Sequence, residues 1–290
     1  LGLVVCMWRY IDEGRHRYLY VGAALLGFAF ATKETAYLNT AILGLFLALM
    51  LVPRFWNEVI QRIHIREVSP PVAILRIFIG IVGMCHVRIK LSEVSRPAAF
   101  FILIFTVTLP LWSAFVSVFQ ETFLLNWSNI VLAAPEEGTG QTGFPSSLGV
   151  VIARIVVIIF LGVSLLLGSR WNWSVWWRSA LIFYGIWTIL YTSLFTNGLM
   201  PAGSGQFEEW WNATWSSIGS GIWGSLGYWI AQQDVARGNQ PWYYFLVISS
   251  IYEFLPLFFA FIAAIYYLKR KDLFGQFLIF WAASTLVFHT

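Results

Sequence analysis

The amino-acid sequence predicts an all-α fold, a polytopic transmembrane helical bundle with extracytoplasmic loops. Three observations predict it. Hydrophobic residues make up 59% and charged residues 11% of the 290 positions, against about 45–50% and about 25% in soluble domains. Several apolar runs approach the roughly 20 residues that a helix needs to cross a bilayer, and they are continuous rather than alternating as in a β-barrel strand. The basic residues gather in short clusters between those runs, where topology signals belong.

The elements follow in order along the chain. Residues 1–8 read as the tail of one span, and Arg9, Arg15 and Arg17 form a basic loop. Residues 18–31 and 36–52 are apolar and flank Thr32-Lys33-Glu34-Thr35, a helical hairpin with a charged tip. The stretch 53–97 carries seven basic residues and reads as cytoplasmic or interfacial, with the short apolar piece between Arg76 and Arg88 interfacial or re-entrant. Residues 100–119 form a span. Residues 120–147 hold Glu121, Glu136 and Glu137 and no basic residue, and their Gly and Pro content suits an exposed loop or linker. Residues 148–167 and 181–195 are spans around a tryptophan-rich turn flanked by Arg170 and Arg178. A long loop at 196–241 precedes spans at 245–268 and 273–288, separated by Lys269-Arg270-Lys271. The chain starts and stops inside apolar runs, and it reads as one transmembrane domain, 1–290, cut from a longer protein.

Charge sorts the loops by side. Those at 9–17, 53–97, 168–178 and 269–272 hold 15 of the 18 Lys and Arg residues. Under the positive-inside rule they are cytoplasmic. The Lys33-Glu34 tip and the loops at 120–147 and 196–241 are then extracytoplasmic. The remaining cations are Lys33, Arg237 and Arg154, the last near the start of a span with reach to snorkel outward. The net charge of +4 is therefore a topology signal and not a nucleic-acid one. Cys6 and Cys85, both in apolar segments, and four scattered histidines make neither a disulfide framework nor a metal site. No cofactor is expected. A divalent metal, though compatible with the chemistry, has no support in this stretch.

The most informative segment is 224–253, GSLGYWIAQQDVARGNQPWYYFLVISSIYE. Residues 222–237 read as a helix stopped by Gly238, with Pro241 in the first turn of the next. Gln232, Gln233, Asp234, Arg237 and Gln240 gather there, followed by Trp242 and Tyr243. Polar groups at the mouth of a span are costly unless they line a cavity or meet a ligand. Lys33 suits an anionic oxygen such as a lipid-linked phosphate, and Arg237 can hold the same group with a bidentate fork. Blander readings stand beside these. Lys33 and Glu34 are equally consistent with a solvated tip. Asp234 and Arg237, three apart, are placed to pair with each other, and Arg237 suits a helix C-terminus. Glu253, about ten residues into an apolar run, must be protonated, paired or facing a wet cavity. Asn126, Asn172 and Asn212 each begin a glycosylation triplet, a weak signal, and Asn172 falls on the cytoplasmic side.

Two stretches carry a resemblance. ALLGFAFATKETAYL at 24–38, after RYIDEGRHRYLYV, resembles the lysine-bearing hairpin of dolichyl-phosphate-mannose–protein mannosyltransferase-like proteins, membrane glycosyltransferases of the C-type fold. ATKET together with SLGYWIAQQDVARGNQPWYYF and YEFLP is more specifically similar to the flippase activity-associated family linked to archaeal-type N-glycosylation and also found in some bacteria. The resemblance implies a multi-pass plasma-membrane protein of a prokaryote with an extracytoplasmic site. It implies a polyprenyl-phosphate-linked sugar donor, a protein or lipid-linked glycan acceptor, and inverting transfer. The catalytic carboxylate of such enzymes lies in a first external loop, here expected N-terminal to Leu1. Lys33 and Arg237 would hold the donor phosphate, Glu34, Gln233, Asp234 and Gln240 would form a polar wall, and Trp242 and Tyr243 would stack on sugar or lipid. A lipid-linked-sugar flippase or transporter, or a structural subunit of a membrane complex, are the competing readings. A transporter would show polar groups at mid-membrane depth and internal repeats, and neither is visible.

Overall fold

A computed structural model describes residues 1–63, 94–120, 122, 130–135, 142–146, 148–194, 214–232, 241 and 243–289. Every element among them is helical. In order they are α1 (Gly2–Glu13), α2 (Arg17–Thr32), α3 (Thr35–Ile63), α4 (Arg96–Thr108) running into a 3-10 helix (Leu109–Phe119), and α5 (Leu148–Tyr191). A helical stretch from 214 then passes through a π turn (Ser220–Gly224) into α6 (Ser225–Ala231). The last three are α7 (Tyr244–Tyr252), α8 (Phe254–Arg270) and α9 (Leu273–His289). Three helices are long and apolar enough to cross a membrane, or four if the bent pair α7–α8 counts as one span.

The basic 9–17 stretch carries its own counter-ion. Arg9, Arg15 and Arg17 each approach Glu13 at 3.3 Å, and the Tyr18 hydroxyl donates to it at 2.8 Å. The Tyr18 hydrogen bond, helped by the arginine charges, holds the Glu13 carboxyl below its ordinary range. Gly14 ends α1 at φ 73°, the left-handed region where a side chain is strained. Arg96, at the start of α4, donates to the carbonyls of Ile11 at 2.9 Å and Asp12 at 2.5 Å. It thereby satisfies C-terminal acceptors of α1 that have no intrahelical partner.

From that end α2 rises, burying Leu19, Ala23, Leu26 and Phe30 at helical spacing against its neighbours. After the Lys33-Glu34 tip α3 returns antiparallel to α4. Tyr37 meets Trp112 at 5.4 Å, and Phe101 lies 3.9 Å from where a Cβ on Gly44 would sit. The end of α3 and the start of α4 are therefore at the same end of the bundle. The expected interfacial piece between Arg76 and Arg88 lies outside the described residues.

Helix α4 changes character at Pro110. Proline has no N–H to give the carbonyl four residues earlier, which is that of Thr106. Ser164 of α5 supplies the missing donor at 2.5 Å. The chain continues as a 3-10 helix, so the Val107 carbonyl also loses its α-helical partner, and the Tyr184 hydroxyl donates to it at 2.9 Å. Such partners are what a break inside a membrane helix requires.

Helix α5 is two helices joined at Asn172, whose backbone is extended at φ −156°. Its 44 residues would be about 66 Å long if straight, twice the hydrocarbon thickness of about 30 Å. The chain instead folds back. Ser164 donates to the Thr106 carbonyl and Trp176 to the Thr106 hydroxyl at 2.9 Å, although twelve residues of straight helix would hold them about 18 Å apart. Asn172 accepts the Val175 N–H at 3.2 Å and caps the second half. Helix thus covers the expected span at 148–167 and the expected span at 181–195 as far as Tyr191, and Asn172 is a structural cap.

Three expectations change. The helix read at 222–237 runs from 214 to Ala231 and has Gln232 as its C-cap. The next helix begins at Tyr244, three residues after Pro241, whose carbonyl accepts the Tyr244 N–H at 2.9 Å. The single span at 245–268 is broken. The chain bends by 99° between α7 and α8, with Glu253 closing one helix and opening the other. The reason lies downstream: Pro256 cannot donate to the Tyr252 carbonyl, and its ring clashes with it. Glu253 is exposed at this corner and is not buried deep in a straight helix.

Helices α8 and α9 form a hairpin in which the Asp272 carboxylate accepts the Gly275 N–H at 2.7 Å. Helix α9 docks through Phe277, 1% exposed, against Phe46 at 4.9 Å and Trp8 at 6.0 Å. Trp8 precedes Arg9, so Lys269, Arg270 and Lys271 share the end of the bundle that carries the 9–17 stretch and Arg96. Helix α8 buries none of its residues.

Candidate functional site

The opposite end of the bundle holds a cavity of about 210 Å³. Residues 30–34 at the end of α2, Tyr37 in the first turns of α3, Leu190 and Tyr191 at the end of α5, and Ser225 at the start of α6 line it. The charged hairpin tip and the beginning of the 224–253 segment, almost 200 residues apart in sequence, are two walls of one site.

Each wall is held for a local reason. Lys33 leaves α2 in an extended conformation, φ −157°, and its N–H still reaches the Ala29 carbonyl. The carbonyls of Lys33 and Glu34 accept the N–H groups of Ala36 and Tyr37 at 3.1 and 3.0 Å, which closes the turn. Both side chains are exposed, and neither has an ion-pair or hydrogen-bond partner among the described residues. Tyr37 is 6% exposed, its ring edge-on to Phe30 at 4.8 Å and to Trp112. Tyr191 stacks on Trp187 at 5.2 Å and shares a 2.6 Å hydrogen bond with the Ser225 hydroxyl. Two non-glycine residues at positive φ, Ser193 and Leu194, turn the chain just beyond it.

The α6 wall is fixed by glycines. Gly221 rests on Trp187 and Tyr191, Gly224 on the Phe144 ring, and Gly227 on the backbone of Gly143, with no room for a Cβ at any of the three. Trp223 donates to the Leu132 carbonyl at 3.0 Å. Gln120 accepts the N–H groups of Leu132 and Ala133 at 3.4 and 3.0 Å. Residues 131–134 and 143–146 exchange backbone hydrogen bonds. The loop read as an exposed linker at 120–147 is therefore partly packed, and Leu132 and Ala133 are fully buried. It meets α6 at the cavity end.

Of the residues singled out in the sequence, the structure brings Lys33 and Glu34 to the cavity. Tyr243 is exposed and caps the N-terminus of α7; it does not line the cavity. Glu253 stands at the α7–α8 corner. Gln233, Asp234, Arg237, Gln240 and Trp242 lie outside the described residues. Tyr37, Tyr191 and Ser225 were not anticipated. Tyr37 sits one turn past Lys33 and Ser225 opens the second block, so only their nearness to those motifs marked them. Among the described residues no three His, Cys, Asp or Glu side chains gather as a metal site would need.

The lining combines one ammonium, one carboxylate, two phenols and the hydroxyls of Thr32 and Ser225, beside apolar surface that faces outward. Leu190 on the rim is 38% exposed, and Ile189 and Leu194 beside it are exposed too. The volume is below the roughly 300–1,000 Å³ of sites that enclose a whole drug-sized ligand. Comparison with known protein families, with characterised proteins and with solved structures found no match to this chain.

Proposed function

We propose that this chain forms the donor-lipid site of a membrane glycosyltransferase of the C-type, which transfers a sugar from a polyprenyl-phosphate-linked donor at the extracytoplasmic face. The observation that carries the reading is the cavity that joins Lys33 to the start of the 224–253 segment at one end of the bundle. Lys33 has no carboxylate partner among the described residues, which leaves its ammonium for an anionic oxygen. The exposed apolar rim gives a prenyl chain a place in the bilayer. In the reaction the bond between sugar C1 and the phosphate oxygen breaks with its electron pair on phosphate. A bond from C1 to the acceptor oxygen forms with inversion, and the acceptor proton passes to a carboxylate base expected N-terminal to Leu1. Arg237 is the second phosphate ligand in this reading. A transporter would place its polar groups near mid-depth, whereas this cavity opens at the bundle end.

The test is transfer from a polyprenyl-phosphate sugar by the full-length protein carrying Lys33→Gln or Arg237→Gln. Loss of one charge-assisted contact lowers the rate by roughly tenfold to a hundredfold. Undiminished transfer in both variants overturns the assignment. Scrambling of the lipid in proteoliposomes with no transfer to any acceptor would establish the flippase reading instead.

A further inference from the structure

We propose that the Tyr37 hydroxyl is a donor to the anionic headgroup bound in this cavity, acting beside the Lys33 ammonium. The inference rests on the donor-lipid reading above and assigns a binding residue that neither motif chemistry nor charge had marked.

Three observations carry it. Tyr37 is 6% exposed and lines the cavity. Its ring is fixed edge-on between Phe30 and Trp112, so the hydroxyl keeps its place at the cavity wall. Its hydroxyl has no hydrogen-bond partner among the described residues, in contrast to three other tyrosines. Tyr18 bonds Glu13, Tyr184 bonds the Val107 carbonyl, and Tyr191 bonds Ser225. The ring is buried, whereas the hydroxyl oxygen keeps access to the cavity, and phenylalanine would make the same ring contacts without offering a donor there. The oxygen of Tyr37 is therefore open to a ligand oxygen in the cavity.

The neighbours agree with an anion. The Tyr191–Ser225 pair has two hydroxyl protons and uses one in its own hydrogen bond, so one remains for a ligand oxygen. Glu34, which would repel a phosphate, is exposed at the mouth, while Tyr37 is buried. A phosphate held by Lys33 and Tyr37 would share the cavity with the Glu34 carboxylate, which also lines it.

The experiment measures binding of farnesyl phosphate, and of farnesol as the uncharged control, to the purified full-length protein in nanodiscs. Tyr37→Phe is expected to weaken farnesyl phosphate binding roughly tenfold, leave farnesol binding unchanged, and leave the thermal midpoint of the free protein equal or raised. If Tyr37→Phe binds farnesyl phosphate like the wild type while Lys33→Gln does not, the Tyr37 assignment falls and the donor-lipid reading survives. If both variants bind like the wild type, or the wild type does not bind, both fall. A lower thermal midpoint for Tyr37→Phe, or equal weakening toward farnesol, makes the hydroxyl structural and also overturns the proposal.

Discussion

Replacing Ser164 by alanine should destabilise the bundle through a carbonyl on another helix. Pro110 removes the N–H that would have served the Thr106 carbonyl, and Ser164 serves it from α5 at 2.5 Å. Thr106 and Ser164 are 0% and 1% exposed, so water cannot replace the lost donor. Leaving a buried acceptor unsatisfied costs about 1–3 kcal/mol. Polar contacts between membrane helices average only about 0.6 kcal/mol, because freed groups find other partners. Thr106 has fewer alternatives than most, since its hydroxyl already donates to the Ile102 carbonyl at 2.6 Å and accepts from Trp176. A loss of about 1.5 kcal/mol is the expected value between those limits. The assay is reversible unfolding in mixed micelles, with Ser169→Ala as control, since Ser169 bonds only the Leu166 carbonyl of its own helix and is exposed. The mechanism makes a second demand. In a Pro110→Ala background an N–H is again available at position 110, so the Ser164→Ala loss should shrink by at least about 0.5 kcal/mol. Equal losses in the two backgrounds, or no loss in either, would refute the account of the α4 break.

Two further outcomes follow from local geometry. Gly227→Ala places a methyl against the Gly143 backbone and should cost about 1–3 kcal/mol as overpacking, whereas Gly162→Ala in α5, with nothing within 4 Å of its Cβ, should be neutral or stabilising by up to about 1 kcal/mol; parallel melting curves of the two variants check both. The Glu13 carboxyl is held below 4.5 by the Tyr18 hydrogen bond and the arginines, so its contribution is complete above pH 4.5 and is lost as pH falls through its lower folded value. Thermal midpoints between pH 6 and pH 3 should therefore decline more steeply for the wild type than for Glu13→Gln, and identical slopes would contradict the assignment.

Much of the helix layout was legible because charge and apolar length are local properties of a sequence. The Lys33 hairpin, the turn near Asn172 and the α8–α9 hairpin all show as interruptions of apolar runs. The bend at Glu253 does not, since residues 245–268 are apolar on both sides of it and the cause, Pro256, acts on the carbonyl of Tyr252. The packing role of Gly221, Gly224 and Gly227 leaves no mark in the sequence, because the Trp187, Phe144 and Gly143 they pack against come from distant parts of the chain. Lys33 and Glu34 stand out in composition. Tyr37 cannot, because an aromatic residue at helical spacing looks like core until the partner of its hydroxyl is sought.

Charge segregation and side-chain packing are independent properties of this chain, and they divide it in the same way. Packing puts Arg9, Arg15, Arg17 and Arg96 at one end, and the Trp8 contact brings the start of α9, with Lys269–Lys271 before it, to that end. It puts the Lys33-Glu34 tip, the 130–146 backbone and the start of α6 at the other, through the cavity and through Trp223. Helix α8 runs from Glu253 to the basic end over 17 residues, about 25 Å, so the exposed Glu253 stands one helix length from the Lys269–Lys271 cluster. The same division makes Lys33 an exception, a cation at the end that topology leaves poor in cations. Arg154, in the first turns of α5, is the other one described there, and it is exposed on its helix and absent from the cavity wall. Lys33 instead stands at a polar cavity beside the Tyr37 phenol, whose hydroxyl has no hydrogen-bond partner among the described residues. On the proposed reading an anionic ligand would engage both the Lys33 ammonium and the Tyr37 hydroxyl.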